Sequence, residues 1–246
     1  MAKAKTGGPS PREPVTQLRK VPIRETSEPL VDFCGLSDRL VFSWGVFDYT
    51  RVTLLRKTVA KRLVEAAKKL PEGLMLGVVE GWRPLYIQKR MYLSAMQRMR
   101  ERHPEWSDTK LKRMVNVLSA PIDPKVPPPH STGGAVDLRL LLPDGTAADL
   151  TSPFEQMDPK CYPFEVHGLS LEAKRNRSLM KKALESVDIT NYPSEFWHWS
   201  YGDQGWAYRG GHPYALFNSV EPEGWTAIEE DAVDDPLRFL HEMEEG

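Results

Sequence analysis

Four residues in two short stretches of the 246-residue chain have the types that a hydrolytic metal site requires. The first stretch carries His130 and Asp137, and the second carries Glu195 and His198. A catalytic Zn²⁺ takes three protein ligands from His, Asp, Glu or Cys and keeps one position open for water. His130, Asp137 and His198 form such a set, and Glu195 is a carboxylate that could take a proton from the bound water. The residue types therefore indicate metal-assisted hydrolysis.

Local sequence predicts how these side chains are positioned. Prolines at 127–129 exclude a helix before His130, and Gly133-Gly134 permits a tight turn after it. The apolar run that follows Asp137 is typical of a buried strand, so His130 is expected on a loop and Asp137 at the start of a strand. On an ideal strand, an offset of three residues directs two side chains to opposite faces. Glu195 and the histidine at 198 can therefore converge only if their segment bulges or turns.

Each element of this pattern also has a purely structural interpretation. A single histidine such as His130 is more often hydrogen-bonded than metal-bound, and Asp137 alone could cap a turn. The segment Trp197-His198 could be the aromatic edge of a core, and Arg83 could pair with a surface acid. The helical H-E-x-x-H pattern of many zinc peptidases is absent from the sequence.

Hydrophobic periodicity predicts the elements that must support the site. Helices are predicted at four ranges, Arg51–Leu70, Leu85–Arg102, Asp108–Leu118 and Leu171–Val187. Strands are predicted at Leu74–Glu80 and Ala135–Leu142, and Glu195–Trp199 is predicted as a strand or an extended segment.

Composition limits the class of protein. A net charge of −1 gives no electrostatic reason to expect nucleic-acid binding. We expect a cytoplasmic protein without membrane partners, because no apolar run is long enough to span a bilayer and no secretory signal is visible. Residues 1–29 are predicted to be a flexible basic arm, 30–218 a catalytic domain, and 219–246 an acidic tail with ten acids and one arginine.

In combination and in order, the motifs resemble those of the zinc D-alanyl-D-alanine dipeptidases, which include the vancomycin-resistance dipeptidase. This group belongs to the wider clan of D-Ala-D-Ala carboxypeptidases and hedgehog-like domains. The matching segments are Glu80-Gly81-Trp82-Arg83-Pro84, His130–Leu138, Phe154–Asp158, Asn176–Met180 and Glu195–His198. The resemblance covers roughly residues 30–206, and its specific part is the pair of His-to-Asp and Glu-to-His spacings.

The resemblance implies an α+β domain in which helices pack on one side of a small, largely antiparallel sheet, with the site in a cleft at the sheet's edge. One Zn²⁺ per chain would be held by the two histidines and the aspartate, and Glu195 would be the general base. Arg83 would stabilise the oxyanion of the tetrahedral intermediate, and Glu155 would receive the free ammonium of a small dipeptide substrate. The implied reaction is hydrolysis of a D-Ala-D-Ala-type dipeptide with free termini.

The sequence departs from the family pattern at two places. Pro128-Pro129 replaces serines that precede the first histidine, and Glu155 stands where the family has Asp. Both departures concern recognition of the dipeptide. Two alternatives stay open: a peptidoglycan D,D- or L,D-carboxypeptidase of the same clan, and a zinc-binding hedgehog-like module without catalysis. Export of the protein would favour the carboxypeptidase. The absence of Glu195 or Arg83 from the sequence would have favoured the module without catalysis.

Overall fold

The computed structural model describes residues 13–45, 49–150 and 163–227. In chain order its elements are α1 (Val15–Leu18), β1 (Leu30–Asp32), β2 (Leu40–Phe42), β3 (Leu54–Arg56), α2 (Lys57–Lys69), β4 (Met75–Glu80), α3 (Leu85–Arg102), α4 (Asp108–Leu118), a 3₁₀ turn (Pro129–Thr132), β5 (Ala135–Leu141), α5 (Leu171–Glu185), β6 (Thr190–Asn191), β7 (His198–Ser200) and α6 (Gln204–Gly210).

A five-stranded sheet with the order β2-β4-β5-β7-β6 forms the centre of the fold. The pairs β4–β5, β5–β7 and β6–β7 are antiparallel, and β2–β4 is parallel. The central strand β5 is almost entirely buried, as its apolar sequence predicts. The α+β class and the largely antiparallel sheet are therefore confirmed.

Helices α2 and α5 cover one face of this sheet. Val136, Leu138 and Leu140 of β5 are in one apolar cluster with Leu63 of α2 and Leu184 of α5. Because side chains alternate along a strand, Asp137 points to the opposite face. The central position of β5 corrects the expectation that the site would be at the edge of the sheet.

The predicted helix at 51–70 is wrong over its first residues. Residues 54–56 form strand β3, which pairs antiparallel with β1, and helix α2 begins only at Lys57. Leu54 and Leu55 fit a helical period as well as a strand. Pairing with β1 favours the strand because it supplies hydrogen-bond partners for the backbone N–H and C=O groups. The helices predicted at 85–102 and 108–118 have the expected bounds.

Residues 13–29 contact the domain along much of their length. Gln204 of α6 donates to the carbonyl oxygens of Leu18 and Val21, at 3.1 and 2.8 Å. Ile23 forms a parallel bridge with Ala215. The proposed boundaries of the arm and the tail stay predictions, because residues 1–12 and 228–246 lie outside the described ranges. Within the described ranges, no helix is both long enough and apolar enough to cross a membrane.

Candidate metal centre

His130 lies in the 3₁₀ turn that the proline-rich loop introduces. Pro128 precedes the turn in an extended conformation, and Gly133 ends it with a φ of 69°, a left-handed value that favours glycine. Nδ1 of His130 is 2.9 Å from the carbonyl oxygen of Gly81. A carbonyl can only accept, so we assign the proton to Nδ1, which leaves Nε2 as the ligand atom.

Asp137 and His198 are brought together by strand pairing. They are directly opposed in the β5–β7 register, and Nδ1 of His198 is 3.0 Å from Oδ1 of Asp137. Nε2 of His130 is 3.4 Å from the same carboxylate oxygen. All three side chains are buried, and one ligand atom from each lies within 4.8 Å of the others.

This donor set fits Zn²⁺. Two imidazoles and one carboxylate are ligands that zinc takes in catalytic sites, and bonds of about 2.0–2.2 Å suit atoms grouped this closely. Burial alone would raise the pKa of the Asp137 carboxyl, but the two histidines outweigh burial and hold that pKa well below its usual range. The aspartate is therefore ionised, as a ligand must be.

Glu195 reaches the site from a turn. The strand or extended segment predicted at 195–199 is wrong at its start, because β7 begins at His198 and the preceding residues reverse the chain between β6 and β7. The amide of His198 donates to the carbonyl oxygen of Glu195 at 3.2 Å, which closes a tight turn. Because the segment turns here, Glu195 and His198 are not held on opposite faces, as they would be three residues apart on an ideal strand.

Burial raises the pKa of the Glu195 carboxyl, against the opposing effect of His198. Asp137, His130 and Arg83 also influence this pKa, so Glu195 lies within their electrostatic reach. A carboxylate with a raised pKa is a better proton acceptor than an ordinary surface glutamate.

Asn191 braces this turn, a role that the sequence analysis missed. Its side-chain amide donates to the carbonyl oxygens of Glu195 and His198, both at 2.9 Å, and more distantly to that of Phe196 at 3.4 Å. Asn191 is the last residue of the short strand β6, and a single asparagine there gave no sequence signal beyond that of an ordinary turn residue.

Arg83 is held beside the site by partners that the sequence analysis did not identify. Its Nε donates to Glu80 at 2.8 Å, and its Nη2 pairs with the other oxygen of the same carboxylate. Nη1 donates to Gln88 at 2.6 Å, and Nε also contacts the Tyr49 hydroxyl at 3.3 Å. Burial alone would lower the pKa of Arg83, but Glu80 outweighs it and raises that pKa. The sequence signal that could have revealed this partner is the position of Glu80 at the end of an otherwise apolar strand.

A second network lies behind β7. Arg209 of α6 donates to Oγ of Ser200 at 2.6 Å, and that hydroxyl donates to Asp203 at 2.9 Å. Nη1 of Arg209 pairs with Glu13 of the N-terminal arm. Ser200 is two residues from His198 on the same strand, so the network supports the segment that carries this histidine.

Glu155, the residue expected to receive the substrate ammonium, lies in 151–162, outside the described residues. The described residues thus bring together three side chains that could hold a cation, a buried carboxylate and an arginine. That combination suits the attack of water on a carbonyl group.

Comparisons with known families and sequences identify peptidases, and a comparison with solved structures gives one distant match. A family model described as D-Ala-D-Ala dipeptidase matches residues 44–217. A D-alanyl-D-alanine dipeptidase of Synechocystis sp. is 26% identical over 230 residues, which are 81% of this chain and 93% of that protein. The solved structure of the LdcB LD-carboxypeptidase is 22% identical, with a TM-score of 0.38 and a coverage of 81% of each chain.

Proposed function

The chain belongs to the D-Ala-D-Ala dipeptidase family of peptidases, and we propose that it is a zinc-dependent dipeptidase acting on a D-Ala-D-Ala-type dipeptide with free termini. The observation that carries the proposal is the convergence of His130, Asp137 and His198, three buried side chains with ligand atoms within 4.8 Å of one another. The proposed cofactor is one Zn²⁺ per chain.

Zn²⁺ bound by these residues would polarise the scissile carbonyl and lower the pKa of a bound water to about 7. The carboxylate of Glu195 accepts a proton from the attacking water and later donates it to the leaving amine. Arg83 presents N–H groups to the oxygen that becomes negative in the transition state, and the Glu80 carboxylate fixes the plane of the guanidinium. His130 and Asp137 keep their positions through the Gly81 carbonyl and the β5–β7 register.

We further propose that Glu155 binds the substrate ammonium and thereby selects a free N-terminus. The partner would be a small dipeptide in the cytoplasm, without nucleic acid or membrane. A carboxypeptidase acting on longer wall peptides would not need an acid at this place.

The first test replaces Glu195 with alanine. Loss of a general base typically lowers kcat by about 10²–10⁴. We expect Glu195→Ala to bind one zinc per chain in a metal assay and to lose hydrolysis of D-Ala-D-Ala to that extent. As a matched control, Glu65→Ala removes an exposed glutamate of α2 and is expected to leave both readouts unchanged.

Unchanged turnover in Glu195→Ala would contradict the assigned base. Equal rates on D-Ala-D-Ala and on its N-acetylated form would contradict the role of Glu155 and favour the carboxypeptidase. Zinc binding by the wild type without hydrolysis of either peptide would favour a module without catalysis.

A further inference from the structure

Arg139 lies on the face of the sheet that carries the metal ligand Asp137. The two residues are separated by one position on β5, so their side chains project to the same side, opposite the core residues Val136, Leu138 and Leu140. Two residues of a strand span about 6.6 Å. A substrate that extends from the metal centre along this face would approach Arg139.

A second guanidinium, that of Arg51, comes to the same region from outside the sheet. Its Nη1 donates to the carbonyl oxygen of Ser43 at 2.9 Å and to that of Val79. Val79 is on β4 two residues beyond Gly77, which is the register partner of Arg139. The segment before β3 and the central strand thus supply one arginine each to the same part of this face.

Aromatic rings support both guanidiniums. The carbon Cζ of Arg139 is 4.6 Å from the centre of the Trp44 ring, and Cζ of Arg51 is 4.7 Å from the centre of the Phe42 ring. Trp44 is 51% exposed, so this support is at an open surface. A ring that covers the face of a guanidinium leaves its N–H edge directed elsewhere, in the geometry that binds a carboxylate.

Both positive charges lack an acidic partner in the part of the chain that the structure describes. No ion pair within residues 13–45, 49–150 and 163–227 includes either arginine. Burial lowers the pKa of both guanidinium groups, and Arg51 lowers the pKa of Arg139 further. Two partly buried like charges near each other repel, and an anion between them would relieve this repulsion.

We propose that Arg139 and Arg51 form an anion subsite on the face of the sheet that carries Asp137, and that the subsite takes a carboxylate of the substrate. The proposal rests on the proposed peptidase function, because it names the group that the enzyme recognises. The carboxylate has two possible sources, the C-terminus of the dipeptide or an acidic side chain on its second residue. The C-terminal carboxylate lies about one residue, roughly 3.8 Å, from the scissile peptide unit.

The first experiment does not depend on the reaction. Thermal unfolding of the zinc-loaded protein is measured with the dicarboxylate succinate, against chloride at equal ionic strength. We expect succinate to raise the Tm of the wild type and of Arg113→Gln, which removes an exposed arginine of α4, but to have a smaller effect on Arg139→Gln. An equal rise in all three proteins would overturn the subsite.

The second experiment identifies the source of the carboxylate. Binding of D-Ala-D-Ala, its C-terminal amide and D-Ala-D-Glu is measured by calorimetry in a Glu195→Gln background. Loss of a hydrogen bond to a charged group weakens binding by roughly tenfold to hundredfold. A loss of this size in Arg139→Gln for D-Ala-D-Ala, but not for the amide, assigns the terminal carboxylate, whereas a loss only for D-Ala-D-Glu assigns the side chain.

Equal affinities with and without Arg139, or an equal loss for the amide, would overturn the proposal. Arg139→Lys keeps the charge and is expected to restore part of the affinity, which distinguishes recognition from a folding defect. If the wild type hydrolyses none of these dipeptides while succinate still discriminates between the variants, the proposed function fails and the anion subsite stands.

Discussion

Replacement of Asn191 by alanine would test whether the turn that carries Glu195 is held in place by its side-chain brace. The amide of Asn191 donates to two carbonyl oxygens at 2.9 Å, those of the proposed base Glu195 and of the proposed ligand His198. A net contribution of about 0.5–1.5 kcal/mol per hydrogen bond gives a loss of about 1–3 kcal/mol in the free energy of unfolding. For a protein of this size, the loss corresponds to a fall in Tm of about 2–12 °C.

The effect on activity has a separate cause. Displacement of a catalytic group by about 1 Å can lower the rate by roughly hundredfold, because the reacting atoms lose their alignment. We therefore expect Asn191→Ala to lower kcat on D-Ala-D-Ala by roughly tenfold to hundredfold, with a smaller change in KM. Zinc affinity should fall less than kcat, because strand pairing with Asp137 still positions His198.

Three measurements decide the outcome: thermal unfolding, a zinc titration, and steady-state kinetics at temperatures well below the Tm. The matched control is Asn116→Ala, since Asn116 is exposed on α4 and accepts one hydrogen bond from Tyr92 at 2.9 Å. The control should change stability by less than about 0.5 kcal/mol and leave kcat unchanged. Reduced stability with an unchanged kcat in Asn191→Ala would refute the argument that the brace positions the base.

Two further predictions concern buried acids that support the site. Glu80→Gln removes the charge that holds Arg83, so we expect kcat to fall by at least about tenfold with little change in KM or zinc content, as measured by steady-state kinetics and a metal assay. Unaltered kcat would show that Arg83 does not depend on this carboxylate. Burial raises the pKa of Glu13 above its ordinary value of 4.5. The folded state therefore binds the proton of this carboxyl more tightly than the unfolded state does. The stability that Glu13 contributes is consequently lost as the pH rises above about 4.5. The stability of the metal-free wild type relative to Glu13→Gln should therefore decrease between pH 4.5 and pH 7 in urea unfolding, and an increase would contradict the assigned burial.

The sequence predicted well those elements whose pattern has one physical interpretation. The helices at 85–102 and 108–118 begin after Pro84 and at the Ser107 cap, both strong local signals. The buried strand at 135–141 follows from an apolar run too short for a helix. The three candidate ligands converge as the motif spacing predicted, although only coordinates could show their distances.

Features that depend on tertiary contacts were not predictable from local sequence. Residues 54–56 form a strand because β1 is available as a partner, and nothing in their own sequence favours it over a helix. The turn at Glu195 depends on the amide of Asn191, four residues earlier. The proposed subsite joins residues 88 positions apart in sequence: strand β5 places Arg139, and hydrogen bonds to the carbonyl oxygens of Ser43 and Val79 place Arg51.

The site combines two kinds of support, and they should respond differently to substitution. Asp137 and His198 are opposite each other in the backbone ladder of β5 and β7, so they move only if the sheet itself is disturbed. His130 and Glu195 lie on turns. A contact with the carbonyl oxygen of Gly81 orients the His130 ring, and a hydrogen bond from the Asn191 amide to the backbone carbonyl of Glu195 holds its turn. Changes in the sheet should therefore reduce zinc affinity and stability together, whereas a change in the turn at Glu195 should lower kcat more than it lowers zinc affinity. This separation gives a physical criterion for deciding whether a residue near the metal acts through the fold or through the reaction.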